Sequence, residues 1–440
     1  MDRRNFLASA GVGLGGSLLS ACGGGGTSGL DVAGVSATPQ AAAFRAVGTA
    51  PPPRVIVIGG GMGGATVAKY LRLWGNAISV TLIERASSYQ SNIMSSLVLS
   101  GQRTMSSLTY SYDTLKSKYG IKVVVGDVKS VDPIKMRVTL ANGDFLDAER
   151  IVIAPGIDFD PVAGLGTSDR MPHAWKAGAQ TTLLAKQLAA MPSGGRVILT
   201  IPKTPYRCPP GPYERACLVA DWLRVNKPGS KLFVLDANAD IVVERDNFMG
   251  AFLGIHGNVI EYVPNADVTQ VDPATMQLNT TAGNFRGDVI NLIPRQRAGS
   301  LITTLGLNNA TDGRFAGVNG LTYASTVPGF EKVHIIGDAS ATVQPKAGHI
   351  ANQEAKVCAD AISRIFAGMD PDPAPVTNSA CFSTITMREA SWLSAGYQYD
   401  TGTAAMKLVP ASFGASEGWS ANNFDQMNNW FKSLMLDSFA

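Results

Sequence analysis

A chain of 440 residues has room for two or three domains and a large buried core. Its 37 basic against 34 acidic residues leave a net charge of +3 with no Lys/Arg-rich run, a balance that argues against a nucleic-acid partner. Five cysteines are too few for a disulfide scaffold, so each has to be judged by its neighbours.

In chain order, Arg3 and Arg4 precede an apolar, glycine-rich run from Ala8 to Leu19, the layout of a twin-arginine export signal. The run is too short for a stable bilayer span. Leu19-Ser20-Ala21-Cys22 reads as a lipobox that would put a lipid anchor on Cys22, while Ala41-Ala42-Ala43 offers a competing ordinary cleavage site. Residues 1–53 are therefore expected to be a leader and flexible tether, and the mature protein is expected in the periplasm.

Arg54 to Leu71 runs from an apolar strand through Gly59-Gly60-Gly61-Met62-Gly63-Gly64 into a helix. Gly59, Gly61 and Gly64 fit G-x-G-x-x-G: a tight turn, a close approach for a pyrophosphate, and close packing of helix on strand. The helix start, with Gly63 in its first turn, directs free N–H groups and a positive dipole end at the phosphates. A second strand, Ile78 to Ile83, ends in Glu84 and Arg85, with Glu84 about twenty residues past the loop, where a ribose-binding acid belongs.

Beyond it, Leu108 to Tyr119 reads as helical, Ile121–Val125 as a strand, and Arg137–Leu140 as one arm of a hairpin turning at Asn142-Gly143. Arg150 to Ala154 is a buried strand stopped by Pro155-Gly156. A second βα unit begins at Gly195–Ile201, but the loop that follows contains Pro202, Pro205, Pro209, Pro210 and Pro212. Those prolines remove the N–H donors a second pyrophosphate would need, which disfavours NAD(P)H there. The helix Tyr213–Val225 and the strand Lys231–Leu235 complete the unit. Asp288–Ile293 is predicted as a strand returning to the first domain, and Val333 to Gly337-Asp338 as another. Lys346, Gly348 and a helix from about Ala351 to Phe366 follow. In the tail, Trp430, Phe431, Leu434 and Met435 fall at helical spacing and read as a packing stripe.

Cys208 is the best nucleophile candidate, because Arg207 beside it favours a thiolate, prolines restrict the sulfur, and Glu214 follows six residues on. An acid at the first turn of a helix serves equally as a dipole partner, so proton transfer by Glu214 stays one of two readings. Cys217 and Cys358 read as small buried hydrophobes. No metal site is expected.

Tyr206-Arg207-Cys208-Pro209-Pro210-Gly211-Pro212-Tyr213-Glu214-Arg215-Ala216, preceded by Pro172-His173-Ala174-Trp175-Lys176-Ala177-Gly178, resembles the flavin-binding subunit of flavocytochrome c sulfide dehydrogenase, within the sulfide:quinone oxidoreductase and disulfide-oxidoreductase flavoprotein group. Asp288 to Pro294, Gln296 to Gly299 and Gly337-Asp338-Ala339 carry the resemblance further. It implies an α/β protein with two Rossmann-like dinucleotide-binding domains of glutathione-reductase type and a smaller C-terminal α+β domain. The expected FAD-binding domain is residues 54–160 with 288–367, a second domain without an NAD site is 161–287, and 368–440 is an interface domain. FAD would be held by Gly59, Gly61, Gly63, Gly64, Glu84, Arg85, Pro155, Gly156, Gly337, Asp338, Lys346 and Gly348. The resemblance also implies a redox-active disulfide between Cys208 and Cys381, sulfide as donor, and a c-type cytochrome partner in a heterodimer, since the chain has no C-x-x-C-H haem motif of its own. Some members tether FAD through a cysteine, but Asn92 stands at the matching position here, so the cofactor is expected to be non-covalent. Electron delivery to membrane quinone, and a non-catalytic flavin-binding assembly subunit, remain the alternatives.

Overall fold

The computed structural model describes residues 51–75 and 77–440, which form one compact unit from Pro51 to Ala440. The expected export signal and the expected anchor at Cys22 lie outside the described residues.

The apolar run at the start folds as the central strand, Arg54–Ile58, of a five-stranded parallel sheet. Ser79–Glu84 and Lys122–Val125 lie on one side of it, and Arg150–Ile153 and Val333–Ile335 on the other. Near-continuous burial of Val55, Ile56, Val57 and Ile58 is the pattern of a strand covered on both faces. The helix Met62–Trp74 covers one face and packs with the helix Gly348–Phe366 through a shared core that includes Leu71, Ala355, Cys358 and Ile362.

A second parallel sheet has the order Ile260–Val263, Lys231–Asp236, Arg196–Ile201, Val289–Asn291, with the helix Gly211–Asn226 packed on it. This corrects the predicted domain boundary at Asp288. Val289–Asn291 aligns with Val197–Leu199 and closes the second sheet instead of returning to the first. The chain crosses back just afterwards, where Gln296–Ala298 pairs antiparallel with Ile157–Phe159 in a two-stranded ribbon. Val289–Asn291 is a short apolar run, and only sheet pairing decides which domain such a run joins.

The predicted helix over Leu108–Tyr119 shrinks to Asp113–Ser117. Thr109–Ser111, β-branched and aromatic, pairs instead with Ser88–Gln90, placing Tyr110 and Tyr89 against Phe439 from the far end of the chain.

The C-terminal segment forms an antiparallel sheet whose long hairpin, Val376–Thr384 with Ala390–Asp400, sets Cys381 opposite Leu393. It ends in the helix Ala421–Phe439, capped by the Ser420 side chain, which accepts from the Asn423 N–H at 3.2 Å. The predicted stripe is packing: Phe431, Leu434 and Met435 are buried. They share a core with Leu71 and Tyr112 of the first domain, so this segment has no separate core of its own.

Candidate active site

The glycine loop is shaped as its spacing requires. Gly59 adopts a φ of +99°, and a Cβ there would lie 2.3 Å from the Ala154 carbonyl oxygen. A Cβ on Gly64 would lie 1.7 Å from the Gly59 carbonyl, so the helix can approach the strand only with glycine in that place. At Gly61 the nearest atom to such a Cβ is Tyr89 Cε2 at 3.8 Å, which leaves the approach open. No side chain caps the helix that starts here, and its first turn carries no acid. Its orphan N–H groups are thus left for an anion. Glu84 accepts from the Gly60 N–H at 2.6 Å through Oε2 and from the Arg85 N–H at 2.8 Å through Oε1, which fixes the carboxylate at the strand end.

From this loop a cavity of about 580 Å³ extends toward the proline-rich loop. Gly59, Gly61, Gly63, Glu84, Arg85, Pro155, Gly156, Gly337, Asp338 and Gly348 all line it, together with Cys208, Glu214 and Cys381. Two predicted cofactor residues do not. Gly64 acts behind the wall through helix packing. Lys346 turns its ammonium to the Ser340 carbonyl at 2.7 Å and over the Phe315 ring at 3.7 Å, and burial lowers its pKa. Its contribution to the site is a carbonyl that accepts the Cys208 N–H at 2.6 Å.

Asp338 Oδ1 is buried without a hydrogen-bond partner, while Oδ2 lies 3.8 Å from Arg207 Nη1. An orphaned carboxylate oxygen on the wall of a cavity calls for a hydroxyl donor, which a ribityl chain supplies. With the open Gly61 and the uncapped helix, it makes the cavity fit a flavin dinucleotide. The loop carrying Asp338 rests on Glu354, which the sequence reading missed: its Oε2 accepts the Gly337 N–H at 2.6 Å, and burial raises its pKa. The one available signal was spacing, since Glu354 falls between Ile350 and Cys358 on the apolar stripe of its helix.

At the opposite end, Cys208 sits at φ +59°, a left-handed conformation rare for a side-chain-bearing residue. It is held there by its N–H to Lys346 and by its carbonyl, which accepts the Gly211 N–H at 2.9 Å. A Cβ on Gly211 would come within 2.8 Å of the Cys208 sulfur, so glycine leaves the thiol its room. Cys208 and Cys381 are both half-buried free cysteines lining the same cavity, more than 170 residues apart in sequence and brought together by the C-terminal hairpin. The predicted thiolate at Cys208 is not borne out. Burial, then the neighbouring Cys381 and Glu214, push the thiol well up, and Arg207 only partly offsets them. The Arg207 guanidinium is engaged elsewhere, donating to Asn92 Oδ1 at 3.3 Å and facing Asp338. Asn92 Oδ1 also accepts the Ala177 N–H at 2.7 Å. Cys217 and Cys358 are fully buried, as expected of structural thiols.

Glu214, in the first turn of Gly211–Asn226, has its carboxyl pushed up to about 7 by burial, with a hydrogen bond from Thr384 Oγ1 at 3.0 Å opposing the shift. A carboxyl that titrates near neutrality beside two cysteines suits proton transfer better than a permanent dipole partner. The neighbouring Arg215 is buried and structural. It donates to Asn291 Oδ1 and to the Ala174 carbonyl, both at 3.0 Å, and lies over the Trp175 ring. Trp175, quoted in the sequence motif without a role, lines the cavity and donates from Nε1 to the Arg207 carbonyl at 3.3 Å.

In the second domain the corresponding strand-end acid is Asp236, and the chain's own groups occupy it. Asp236 Oδ2 accepts from Tyr213 at 2.7 Å and Tyr262 at 2.9 Å, and Oδ1 accepts the Asn238 N–H at 2.8 Å. A ribose would have to displace the buried Tyr213 and the half-buried Tyr262, which reinforces the effect of the prolines.

These features define a flavoprotein oxidoreductase of the pyridine nucleotide-disulphide oxidoreductase class, with FAD as cofactor, and the model of that class matches residues 53–182. More particularly, the chain carries the two domains of the flavocytochrome c sulfide dehydrogenase flavoprotein chain: its central domain at residues 181–294 and its flavin-binding domain at 373–439. It is 64% identical over 31 residues to the sulfide dehydrogenase [flavocytochrome c] flavoprotein chain of Chlorobaculum thiosulfatiphilum, covering 7% of this chain and 65% of that one. It is 29% identical over 107 residues to ferroptosis suppressor protein 1 of Taeniopygia guttata, covering 24% and 27%. The match thus spans less than two thirds of either curated relative. Among solved structures, the sulfide:quinone oxidoreductase of Aquifex aeolicus superposes with a TM-score of 0.72 at 17% identity, over 88% of this chain and 91% of that one. An NAD-dependent persulfide reductase from A. fulgidus gives 0.59 at 14%, over 86% and 77%. At these identities the structural likeness concerns the fold.

Proposed function

We propose that this protein oxidises sulfide at a Cys208–Cys381 redox pair and, after export to the periplasm, passes the electrons to a c-type cytochrome partner. The observation that carries the reading is that Cys208, Cys381 and Glu214 line one cavity as mutual neighbours. Bound FAD supplies an acceptor for an electron pair that can be released one electron at a time.

In the oxidised pair, hydrosulfide adds to one cysteine sulfur: a new S–S bond forms, the Cys208–Cys381 bond breaks, and the other cysteine leaves as a thiolate. One cysteine then carries a persulfide, and no net electrons have left the three sulfurs. Burial disfavours the thiolate at either position, since the Cys381 thiol is pushed up to about 12 and Cys208 well up. A nearby proton donor therefore matters, and Glu214 is poised to give or take that proton near pH 7. Trp175, Phe382 and Trp430 line the same cavity, and their apolar rings limit the water it holds. Arg207 and Asn92 hold the proline-rich loop against the cofactor side of the cavity.

Mixing the holoprotein anaerobically with sulfide should bleach its flavin absorbance, and Cys208→Ser should abolish the bleaching. Bleaching of the variant at the wild-type rate would remove the disulfide from the reaction. Cytochrome c reduction by the same sample supports the proposed acceptor, whereas reduction of a soluble quinone alone points to quinone instead.

A further inference from the structure

A second acid stands behind the cysteine pair. Glu244 precedes the helix Arg245–Leu253 at φ +49° and ψ +37°, a left-handed position, and its side chain caps no N–H of that helix. Both carboxylate oxygens reach instead to the C-terminal hairpin. Oε2 accepts from Ser383 Oγ at 2.8 Å and Oε1 from Ser391 Oγ at 2.7 Å. Ser383 and Ser391 are register partners on adjacent strands, and both are fully buried. Ser383 lies two residues beyond Cys381 on the same strand, so the two share a face, and Glu244 is anchored to the face that carries the sulfur.

The groups facing this carboxyl are few. Helix Gly211–Asn226 brings Glu214 and Cys217, the hairpin brings Cys381, and its own helix brings Asn247. Arg245, next in sequence, is turned to Asp240 at 2.6 Å and Asp246 at 3.8 Å. Among the described residues Glu244 has no ion-pair partner. It is half-buried and the two serines it binds are fully buried, and unlike Glu214 it does not line the cofactor cavity. Burial raises its pKa, and at Cys381 its charge is the largest influence after burial itself.

We propose that Glu244 is a second proton-holding, positioning residue for the cysteine pair, balancing the proton that Cys381 takes up or releases as the Cys208–Cys381 bridge opens and closes. Opening the bridge at Cys208 leaves a Cys381 thiolate that needs one proton, and closing it returns that proton. Glu214 would serve the side of the pair that faces the cavity and Glu244 the side away from it. The place of Glu244 in turnover rests on the proposed sulfide reaction, but its effect on the thiol does not.

The test is the pH profile of Cys381 alkylation by iodoacetamide in the dithiothreitol-reduced holoprotein, followed at the Cys381 peptide by mass spectrometry. Glu244→Gln removes the charge and keeps hydrogen-bonding capacity, so Cys381 should become a stronger acid and react about threefold or more faster at pH 8. Glu244→Asp, which restores the charge, should return toward the wild-type profile. If Glu244→Gln does not fold, Ser391→Ala withdraws one donor from the carboxylate, and the profile should move in the same direction by a smaller amount. A profile unchanged in Glu244→Gln, or equally shifted in Glu244→Asp, overturns the proposal. Wild-type protein that sulfide fails to bleach would instead defeat the sulfide reading, and the alkylation result would stand apart from it.

Discussion

Two glycines in one loop should respond to alanine in opposite ways. In Gly64→Ala the new methyl would lie 1.7 Å from the Gly59 carbonyl oxygen. Gly59 cannot retreat easily, because its N–H is bonded to the Ile83 carbonyl at 2.9 Å and its own Cα is packed against Ala154. The helix must therefore move off the sheet. Alanine is favoured over glycine within a helix by about 1 kcal/mol, but overpacking on this scale costs about 3 kcal/mol or more, leaving a net loss of roughly 2 kcal/mol or more. Gly61→Ala meets nothing closer than 3.8 Å, and its backbone, φ −73° and ψ −166°, suits any residue, so the apoprotein should change by less than about 1 kcal/mol. That methyl nevertheless fills the approach to the uncapped helix start and should abolish flavin retention. Urea unfolding of the apoproteins, with the flavin-to-protein absorbance ratio of the purified holoproteins, measures both effects. Wild-type flavin content in Gly61→Ala, or wild-type stability in Gly64→Ala, would refute the assignment of this loop as a pyrophosphate cradle.

The Glu214 carboxyl is held at about 7 against an ordinary 4.5, so it contributes to stability fully below pH 4.5 and progressively less as pH rises to 7, a loss of roughly 3 kcal/mol. Glu214→Gln should thus become more stable relative to wild type between pH 5 and 8, as read by urea midpoints, and its sulfide bleaching, once normalised to the hydrosulfide present at each pH, should lose its dependence on pH near neutrality. Arg215→Met should destabilise by about 3 kcal/mol or more, because the Ala174 carbonyl and Asn291 would be left buried without their donor; thermal melting checks this. NADH and NADPH should leave the flavin oxidised over minutes, since the prolines and the Tyr213–Asp236–Tyr262 cluster close the second site; rapid bleaching by either would contradict that account.

Local chemistry made the cofactor half of the site legible in the sequence. A tight turn, a close approach and a close packing each require glycine for a steric reason confined to a few residues, and Gly59, Gly61 and Gly64 meet those requirements. The proline loop carried its message in the same way, because a missing N–H is missing in any fold. Cys381 entered only through family resemblance, since no spacing rule pairs residues so far apart. What the tertiary structure alone decided follows from long-range burial and pairing. Val289–Asn291 joined the second sheet because its strand partners lie there. Lys346 turned from the cavity because Ser340 and Phe315 gave its ammonium a better place. The acidity of Cys208 ran opposite to what Arg207 suggested, because desolvation, which depends on everything packed around the sulfur, outweighs one neighbouring charge. Glu354 and Glu244 acquired their roles only when distant segments, Gly337 in one case and Ser383 with Ser391 in the other, were folded against them.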